Sequence, residues 1–567
     1  MDKQISQVDD LVILGSIIKT SGLVECIDKH FPAHGSWDGP SPGHIALGWL
    51  LYILSESDHR QSVVEGWAAA RVPVLRWILD SPTLEARHFS DDRLGLLLEM
   101  FSQEEKWQAF EKTHNRNLLR VYDLQGQCRI VRTDAFVAQS FRESGGLFQF
   151  GHSKQHRSDL PQLKSMLATL DPLSMPIVCC TVAGNCADDQ LYIPVIEGVR
   201  DHLAPSGLIY VGDVKLGSLG NRSYLAESQN GYICPLSQRQ FSKESLGRAV
   251  DGVKTGESPR QAVYGGRQGQ ERQIAWAYEL AVVPMYDPDR DYSWDERRIL
   301  VYSLDLGKSQ TDALMRRCME ARQIIQERFL PRQGRKTLID LEEARAFVDG
   351  QLESRQLKDL IQVDLSQGAP SPKIKKPAPV QCKAQIDLAA VEREAKLFGW
   401  RVYATNVEPQ DLSARQLVLC YRQQYRIEQQ FNRLLNRTTA LQPIYLTLEH
   451  RITALIRFLF LALKYVTLIQ HKIRAKMAEN KVSLKNLIPG NPGRKVERPT
   501  TELLLKAFRN IFLCIDQPHD ERPIYQVSAL NETQKQILEL LDLPTNIYVH
   551  PFQRTESYFD SPLLGSG

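Results

Sequence analysis

The chain has 567 residues, of which 43% are hydrophobic and 24% are charged, values typical of a soluble protein with a substantial core. Its formal net charge is +3, which is too small to identify a polyanionic partner, so any nucleic-acid surface must come from local clusters of basic residues. At roughly 150 residues per domain, the length predicts three or four domains. Ten scattered cysteines without a metal-binding spacing, and a start without an apolar run, predict a reduced cytoplasmic protein.

The first 110 residues are predicted to form a helical domain. Apolar residues recur at helical spacing in LVILGSIIKTSGLVECIDKHF and in HIALGWLLYIL. In SDDRLG, Ser90 precedes two aspartates, which is typical of a helix N-cap. The residues by themselves do not indicate what this domain, 1–110, does.

The pattern changes to α/β in residues 120–240. CRIVRTDAFVAQS (128–140) predicts a strand, and LFQFGHSK is predicted as its hairpin partner. PIVCCTVAG (176–184) predicts a central strand, and GLIYVGDV (207–214) predicts a buried strand that ends at Asp213. Helical segments separate the later strands, so we expect a mixed α/β sheet with flanking helices.

A large insertion is predicted to interrupt this domain at residues 241–392. It contains strand patterns, the basic helix TDALMRRCMEARQIIQERFL and the proline-rich linker SQGAPSPKIKKPAPVQCK. The second part of the α/β domain is predicted at 393–475, where GWRVYATN forms a strand and DLSARQLVLCYRQQYRIEQQFNRLLN forms one long helix. ITALIRFLFLALKYVTLI contains Arg457 and Lys464, which favours a buried helix over a membrane span. Residues 476–567 are predicted to be a C-terminal helical region.

Three acids occupy positions that favour metal chemistry. Asp134 lies inside the first strand, Asp213 closes a buried strand, and Glu428 lies on the long helix. A carboxylate on a strand that faces the core is costly unless it is paired or holds a cation, and hard oxygen ligands suit Mg²⁺ or Mn²⁺. For each acid taken alone, an ion pair or a helix cap is the more ordinary role. A pair of carboxylates is also found in glycoside hydrolases, although neither stretch here has the aromatic residues that line a sugar cleft.

Several stretches, in order, resemble bacterial insertion-sequence transposases with a ribonuclease-H-like DDE core. The family's signature helix has Tyr, two residues, Arg, three residues, Glu, six residues and Lys, and Tyr421 and Glu428 match its spacing. VRTDAF and YVGDVKLGS resemble the strands that carry the first and second Asp. GHSKQHRSDLPQLK resembles the Gly-Tyr-Ser-Lys segment, and YATN resembles the strand before the Glu helix.

The resemblance implies a metal-dependent enzyme that cuts and joins DNA. Asp134, Asp213 and Glu428 would be the catalytic residues and would bind two Mg²⁺ or Mn²⁺ ions. The partners would be the double-stranded terminal inverted repeats and target DNA, held by a homodimer without a membrane. The N-terminal domain would read the repeats, and the C-terminal region would serve dimerisation or DNA contact. Cleavage through a hairpinned end is one route within this family.

The chain departs from the signature at two positions, where Gln424 replaces the Arg and Leu435 replaces the Lys. Neighbouring basic residues are therefore predicted to take over the DNA contacts. The predicted DNA-binding residues are Tyr421, Arg422, Arg426, Arg433, Lys154, His156, Arg157 and Lys215. The departures leave open a second hypothesis, a domesticated or inactive relative that binds DNA without cutting it.

Overall fold

The chain folds into two compact units of mixed α/β structure. The computed structural model describes residues 2–35, 37–124, 126, 128–152, 157–203, 206–256, 259–266, 269–368, 378–518 and 522–551. The first unit consists of Met1–Tyr232 and Gln423–Gly567, and the second consists of Ile233–Arg422. All ten cysteines are free thiols.

The strands in the described part of the chain are β1 (Asp2–Gln7), β2 (Ile130–Gln139), β3 (Gln162–Leu170), β4 (Met175–Ala183), β5 (Ile209–Val211), β6 (Gly231–Pro235), β7 (Arg260–Gly265), β8 (Arg272–Glu279), β9 (Val283–Asp287), β10 (Tyr292–Ser303), β11 (Ile361–Gln367), β12 (Val380–Ile386), β13 (Trp400–Thr405), β14 (Phe512–Gln517) and β15 (Ile524–Val527).

The α-helices in the same residues are α1 (Leu11–Thr20), α2 (Leu23–His30), α3 (Pro42–Glu56), α4 (Gln61–Ala69), α5 (Val72–Ile78), α6 (Asp91–Phe101), α7 (Glu104–Val121), α8 (Tyr192–His202), α9 (Leu219–Glu227), α10 (Lys243–Lys254), α11 (Leu304–Phe329), α12 (Leu341–Ser354), α13 (Leu388–Ala395), α14 (Ala414–Tyr421), α15 (Tyr425–Asn432), α16 (Glu449–Glu479), α17 (Thr501–Lys506) and α18 (Glu532–Leu540).

The sheet of the first unit runs in the order β4, β3, β2, β5. β2 pairs with β3 and β3 with β4 in antiparallel register, whereas β2 and β5 are parallel, so the sheet is mixed as predicted. Two details of the prediction were wrong. The hairpin partner of β2 is β3 and not LFQFGHSK, and β4 has β3 as its only neighbour in this order, so it is not central. Long apolar runs indicate burial but do not identify the neighbouring strand.

Helix α16 forms the centre of the first unit, where it packs against β4, α3, α6, α17 and α18. Its most apolar window has a mean hydropathy of 1.9 and is 94% buried inside the protein, so its apolar character matches a core position. Length and composition alone would also allow this helix to cross a membrane. The buried ammonium of Lys464 donates to Glu111 and Asn115 on α7, which joins the predicted N-terminal helical region to this core helix.

The second unit contains the predicted insertion and extends beyond it on both sides. β13, β10, β8 and β7 form a sheet with β9 paired to β10, and α11 packs against the β11–β12 hairpin with α12 and α13. β13 and α14, which we predicted to belong to the α/β domain at 393–475, lie in this unit. Residues 369–377 of the predicted linker are outside the described residues.

The C-terminal region predicted as helical also contains strands. β14 pairs with β1 on one side and β15 on the other, both in antiparallel register. The N-terminal and C-terminal segments of the chain are therefore joined in one small sheet. The strand patterns FLCIDQ and IYQV are short and lie close to helical segments, which explains why the sequence pattern did not separate them.

The long helix predicted around Glu428 is interrupted. Ser413 caps the first part, α14, and its side chain accepts a hydrogen bond from Gln416 N. A short 3₁₀ turn over Arg422–Gln424 separates α14 from α15, and a π-helical turn over Arg433–Arg437 ends the element. The boundary between the two units falls in the 3₁₀ turn, between Arg422 and Gln423.

Candidate active site

Asp134 lies on β2, and Asp213 lies two residues beyond the end of β5, the neighbouring parallel strand. β2 and β5 pair from Ile130–Ile209 to Arg132–Val211, an offset of 209 − 130 = 79 residues. The two acids have the same offset, 213 − 134 = 79, two residues beyond the last pair. Parallel strands lie about 4.8 Å apart, and residues in register point to the same face of the sheet. The fold therefore brings two half-buried carboxylates side by side.

Tight packing keeps the two strands adjacent up to the acids. A Cβ at Gly212 would lie 2.8 Å from Leu216 Cβ and 3.1 Å from Thr133 Oγ1. Thr133 and Gly212 are the residues directly before Asp134 and Asp213. A side chain at position 212 would collide with Leu216 in the following turn and press on Thr133 of β2, and glycine is the residue that fits.

Tyr192 holds one oxygen of Asp213. Its hydroxyl, at the start of α8, donates a 2.7 Å hydrogen bond to Asp213 Oδ1, and the backbone N–H of Lys215 donates a 2.8 Å hydrogen bond to the same oxygen. Burial raises the pKa of Tyr192 well above its usual value, and the charges of Asp213 and Asp134 raise it further. Because both acids act on this hydroxyl, it stays protonated and remains a donor to the acidic pair.

Helix α15 covers the face of β2 that carries Asp134. The Nε2 of Gln424 donates a 3.2 Å hydrogen bond to the carbonyl of Thr133, and its Oε1 accepts a 3.4 Å hydrogen bond from Arg132. Further along, the rings of Phe431 and Phe136 are 5.2 Å apart. Because side chains alternate along a strand, Arg132, Asp134 and Phe136 share one face, and it is the face that α15 covers.

Glu428 lies between these two contacts of α15. It is four residues after Gln424 and three before Phe431, so it shares their side of the helix and is expected to lie opposite Asp134. Its side chain is exposed. In the part of the chain that the structure describes, its carboxylate makes no hydrogen bond or ion pair. This carboxylate remains available for a ligand.

The chemistry of these groups fits a hard divalent cation. Two adjacent carboxylates repel each other unless a positive charge lies between them, and oxygen donors are the ligands that Mg²⁺ and Mn²⁺ prefer. Asp134, Asp213 and Glu428 would be the ligands. Among the described residues, no three His, Cys, Asp or Glu side chains come close enough together to hold a metal ion, so the metal assignment stays a prediction.

Two of the predicted DNA-binding residues, Tyr421 and Arg422, belong to the second unit. The ring of Tyr421 lies 4.7 Å from that of Tyr403. Arg422 is half-buried, and its guanidinium donates to Ile274 O at 3.0 Å and to Ser303 Oγ at 2.9 Å. Both residues have partners within their own unit, so neither is presented as a free contact for DNA.

Arg433 was also predicted to bind DNA, and the structure gives it an internal partner instead. Its side chain forms a 3.0 Å ion pair with Glu502 and donates a 2.6 Å hydrogen bond to Gln470. Burial raises the pKa of Glu502, but the charge of Arg433 and several hydrogen bonds lower it more, and the net shift is downward. We therefore remove Arg433 from the candidate DNA contacts.

Arg426, Arg157 and Lys215 remain candidates for DNA contact. Arg426 is half-buried, donates to Pro172 O at 3.1 Å and lies 3.6 Å from Asp171. Arg157 is exposed and pairs with Asp159 at 2.7 Å. Lys215 is exposed two residues after Asp213. Lys154 and His156, which were predicted to grip phosphates, lie outside the described residues.

Sequence reasoning did not identify Tyr192 or Arg132. The helix that begins at Tyr192 was predicted, but nothing in its pattern indicates that the hydroxyl reaches Asp213. Arg132 had a usable signal, because it lies two residues before Asp134 and strand alternation places both on one face. It is fully buried and forms a 2.7 Å ion pair with Asp171.

Comparison with known proteins adds one family match. The transposase DDE domain family matches residues 148–463, a range that contains Asp213 and Glu428 and begins after Asp134. No curated protein sequence matches the chain. A solved structure, described as a cryo-EM structure of the piggyBac transposase synaptic complex with hairpin DNA, aligns with a TM-score of 0.32 and 9% identity. The alignment covers 89% of this chain and 81% of that chain, and a TM-score of this size does not establish a shared fold.

The fold and the site define a mixed α/β protein with one acid on a strand, a second just past the end of the neighbouring parallel strand, and a third on the helix that covers the first strand. The match spans more than half of the chain, and the chain belongs to the transposase DDE domain family.

Proposed function

We propose that this chain is an active DNA transposase of a bacterial insertion sequence, with a ribonuclease-H-like core. It would bind the terminal inverted repeats, cut the DNA there and join the freed ends to a target, acting as a homodimer in the cytoplasm. The observation that carries this proposal is the parallel pairing of β2 with β5, two residues beyond which Asp134 and Asp213 follow, with Glu428 on the helix that covers β2. A domain that only binds DNA has no need of acids at these positions, and in this proposal a bound metal ion draws the three carboxylates together.

The three acids have complementary roles in this proposal. Asp134 and Asp213 would supply neighbouring oxygens from rigid strands, and Glu428 would supply a third from α15. Two Mg²⁺ or Mn²⁺ ions bound to them would supply an activated water or 3′-hydroxyl nucleophile and neutralise charge on the leaving oxygen. Tyr192 and the Lys215 amide would keep Asp213 Oδ1 fixed, so that Oδ2 faces the ligand.

Positive charge beside the acids supports a DNA substrate. Lys215 is exposed next to Asp213, and Arg426 lies on α15 two residues before Glu428. Lys215 would hold a phosphate near the cleaved bond, because an exposed cation stabilises a bound polyanion by releasing counterions, and the half-buried Arg426 would do so at the edge of α15. The N-terminal helices of residues 1–110 would read the repeats.

A cleavage assay separates this proposal from the DNA-binding alternative. The substrate is DNA that carries the sequences flanking the gene. The assay is run once with Mg²⁺ and once with EDTA, which removes the metal. The proposal predicts Mg²⁺-dependent strand cleavage by the wild type, and binding without cleavage by Asp213→Asn. Tight, repeat-specific binding by the wild type with no cleavage in Mg²⁺ or Mn²⁺ would support the binding-only relative instead.

A further inference from the structure

The residue at the signature's Arg position, Gln424, makes two contacts, one of which an arginine could not make because it has no acceptor. It occupies the N-cap position directly before α15, yet its side chain makes no capping hydrogen bond to the helix. Instead it reaches β2, where it donates to the carbonyl of Thr133 and accepts from Arg132. A side chain that both donates and accepts is required for this pair of bonds, and glutamine has both groups.

Arg132 is a fixed cation at this place. It is 0% exposed, and its guanidinium pairs with Asp171, which is itself buried. Breaking this pair would leave an unpaired buried charge, so moving Arg132 away from Asp171 would cost free energy. A second guanidinium at position 424 would lie against the first and would offer it no acceptor. Arg132 therefore favours an acceptor over a second cation at the position where the family signature has arginine.

The contact also fixes the position of Glu428. Gln424 and Phe431 are seven residues apart, about 10 Å along a helix, and Thr133 and Phe136 are three residues apart, about 10 Å along a strand. Helix and strand are thus joined at two points with matching spacing. Glu428 and Asp134 lie between these two points. The helix therefore cannot slide along the strand, and shift one acid relative to the other, without breaking one of the contacts.

We propose that Gln424 and Arg132 are positioning residues that set the third acid, Glu428, opposite Asp134 for metal binding. This inference rests on the proposed function, because it concerns the metal site of the same reaction. It also gives the departure from the signature a physical reason, since a buried cation of β2 lies against position 424. Restoring the signature arginine is then expected to impair the site.

The test is Gln424→Arg, with Gln429→Arg as the matched control. Gln429 lies on the same helix and is exposed, so its variant adds the same charge without meeting Arg132. Two quantities are measured for each: the Mg²⁺ concentration for half-maximal cleavage, and the Mn²⁺ dissociation constant by electron paramagnetic resonance in the absence of DNA. Gln424→Met, which removes both bonds without adding charge, keeps the test valid if the arginine variant does not fold.

The expected result is a rise of roughly tenfold to a hundredfold in both quantities for Gln424→Arg, the usual cost of losing a group that orients a metal ligand. Gln424→Met should show a smaller rise, and Gln429→Arg should match the wild type. If Gln424→Arg has the wild-type Mg²⁺ requirement and the wild-type Mn²⁺ dissociation constant, the inference is wrong. The proposed function would still stand in that case, provided that Asp213→Asn does not cleave in the same assay. If the wild type does not cleave at all, the proposed function fails, and equal Mn²⁺ affinities of wild type and Gln424→Arg would overturn the inference separately.

Discussion

The hydroxyl of Tyr192 donates a 2.7 Å hydrogen bond to Oδ1 of Asp213. Tyr192 is almost fully buried at the start of α8, so its hydroxyl has a fixed direction. This bond and the one from the Lys215 amide both go to Oδ1, and in the proposed function Oδ2 would face the metal. Outer groups of this kind set the orientation of a metal ligand without touching the metal.

Replacing Tyr192 with phenylalanine removes this bond and keeps the ring. We expect the Mg²⁺ requirement for cleavage to rise by about tenfold, because Asp213 loses a group that orients it. The thermal unfolding midpoint should change little, since the aromatic packing is retained. An unchanged Mg²⁺ requirement would mean that the Lys215 amide alone orients the carboxylate.

Replacing Gly212 with alanine tests the close approach of β2 and β5. The added Cβ would meet Leu216 and Thr133, and overpacking of this kind costs about 1–3 kcal/mol. The matched control is Gly220→Ala in α9, where a Cβ meets nothing within 4 Å. There the change should stabilise the helix by about 0.5–1 kcal/mol. Thermal unfolding of both variants measures the difference, and equal effects would contradict the packing.

The sequence predicts the local elements well and their long-range partners poorly. The strand that carries Asp134 follows from a short apolar and β-branched run and is present as β2, whereas the strand predicted at 207–214 is present only as Ile209–Val211 and ends two residues before Asp213. Their pairing does not follow, because the 79-residue offset has meaning only once β2 and β5 are known to be parallel neighbours. For the same reason LFQFGHSK was assigned as the partner of β2 on nearness in sequence alone.

The roles of side chains are also predictable from the sequence where they depend on local spacing and not where they depend on distant partners. The spacing of Tyr421 and Glu428 is visible in the sequence, but the break in the helix at Arg422–Gln424 is not. Arg433 looked like a DNA contact because its partner, Glu502, lies 69 residues further along the chain. A charge on a helix is assigned to solvent or to an ion pair only when its three-dimensional neighbours are known.

Two single variants, Arg433→Ala and Lys215→Ala, distinguish a basic residue that stabilises the fold from one that contacts DNA. Arg433→Ala should lower stability and leave DNA affinity unchanged, because its guanidinium pairs with Glu502. Lys215→Ala should leave stability unchanged and reduce the slope of log affinity against log salt by about one. Thermal unfolding and salt-dependent binding titrations measure the two effects. Weaker DNA binding by Arg433→Ala at full stability would contradict the assignment.

The stability loss of Arg433→Ala should also depend on pH. Pairing holds the pKa of Glu502 in the folded protein below its ordinary value of 4.5. The contribution of the pair is therefore present above that value and is lost as the pH falls through the folded-state pKa. The difference in unfolding midpoint between wild type and variant should be largest near neutral pH and should shrink below pH 4.5.

The most direct test of the central claim is cleavage of DNA bearing the element's ends by Asp134→Asn, Asp213→Asn and Glu428→Gln. Asp189→Asn serves as the control, because Asp189 is an exposed acid outside the proposed set. The three acids are proposed to act as one site, so each of the first three variants should lose cleavage and keep DNA binding, while the control cleaves like the wild type. Wild-type cleavage by Glu428→Gln would contradict the claim that the acid on α15 completes the site.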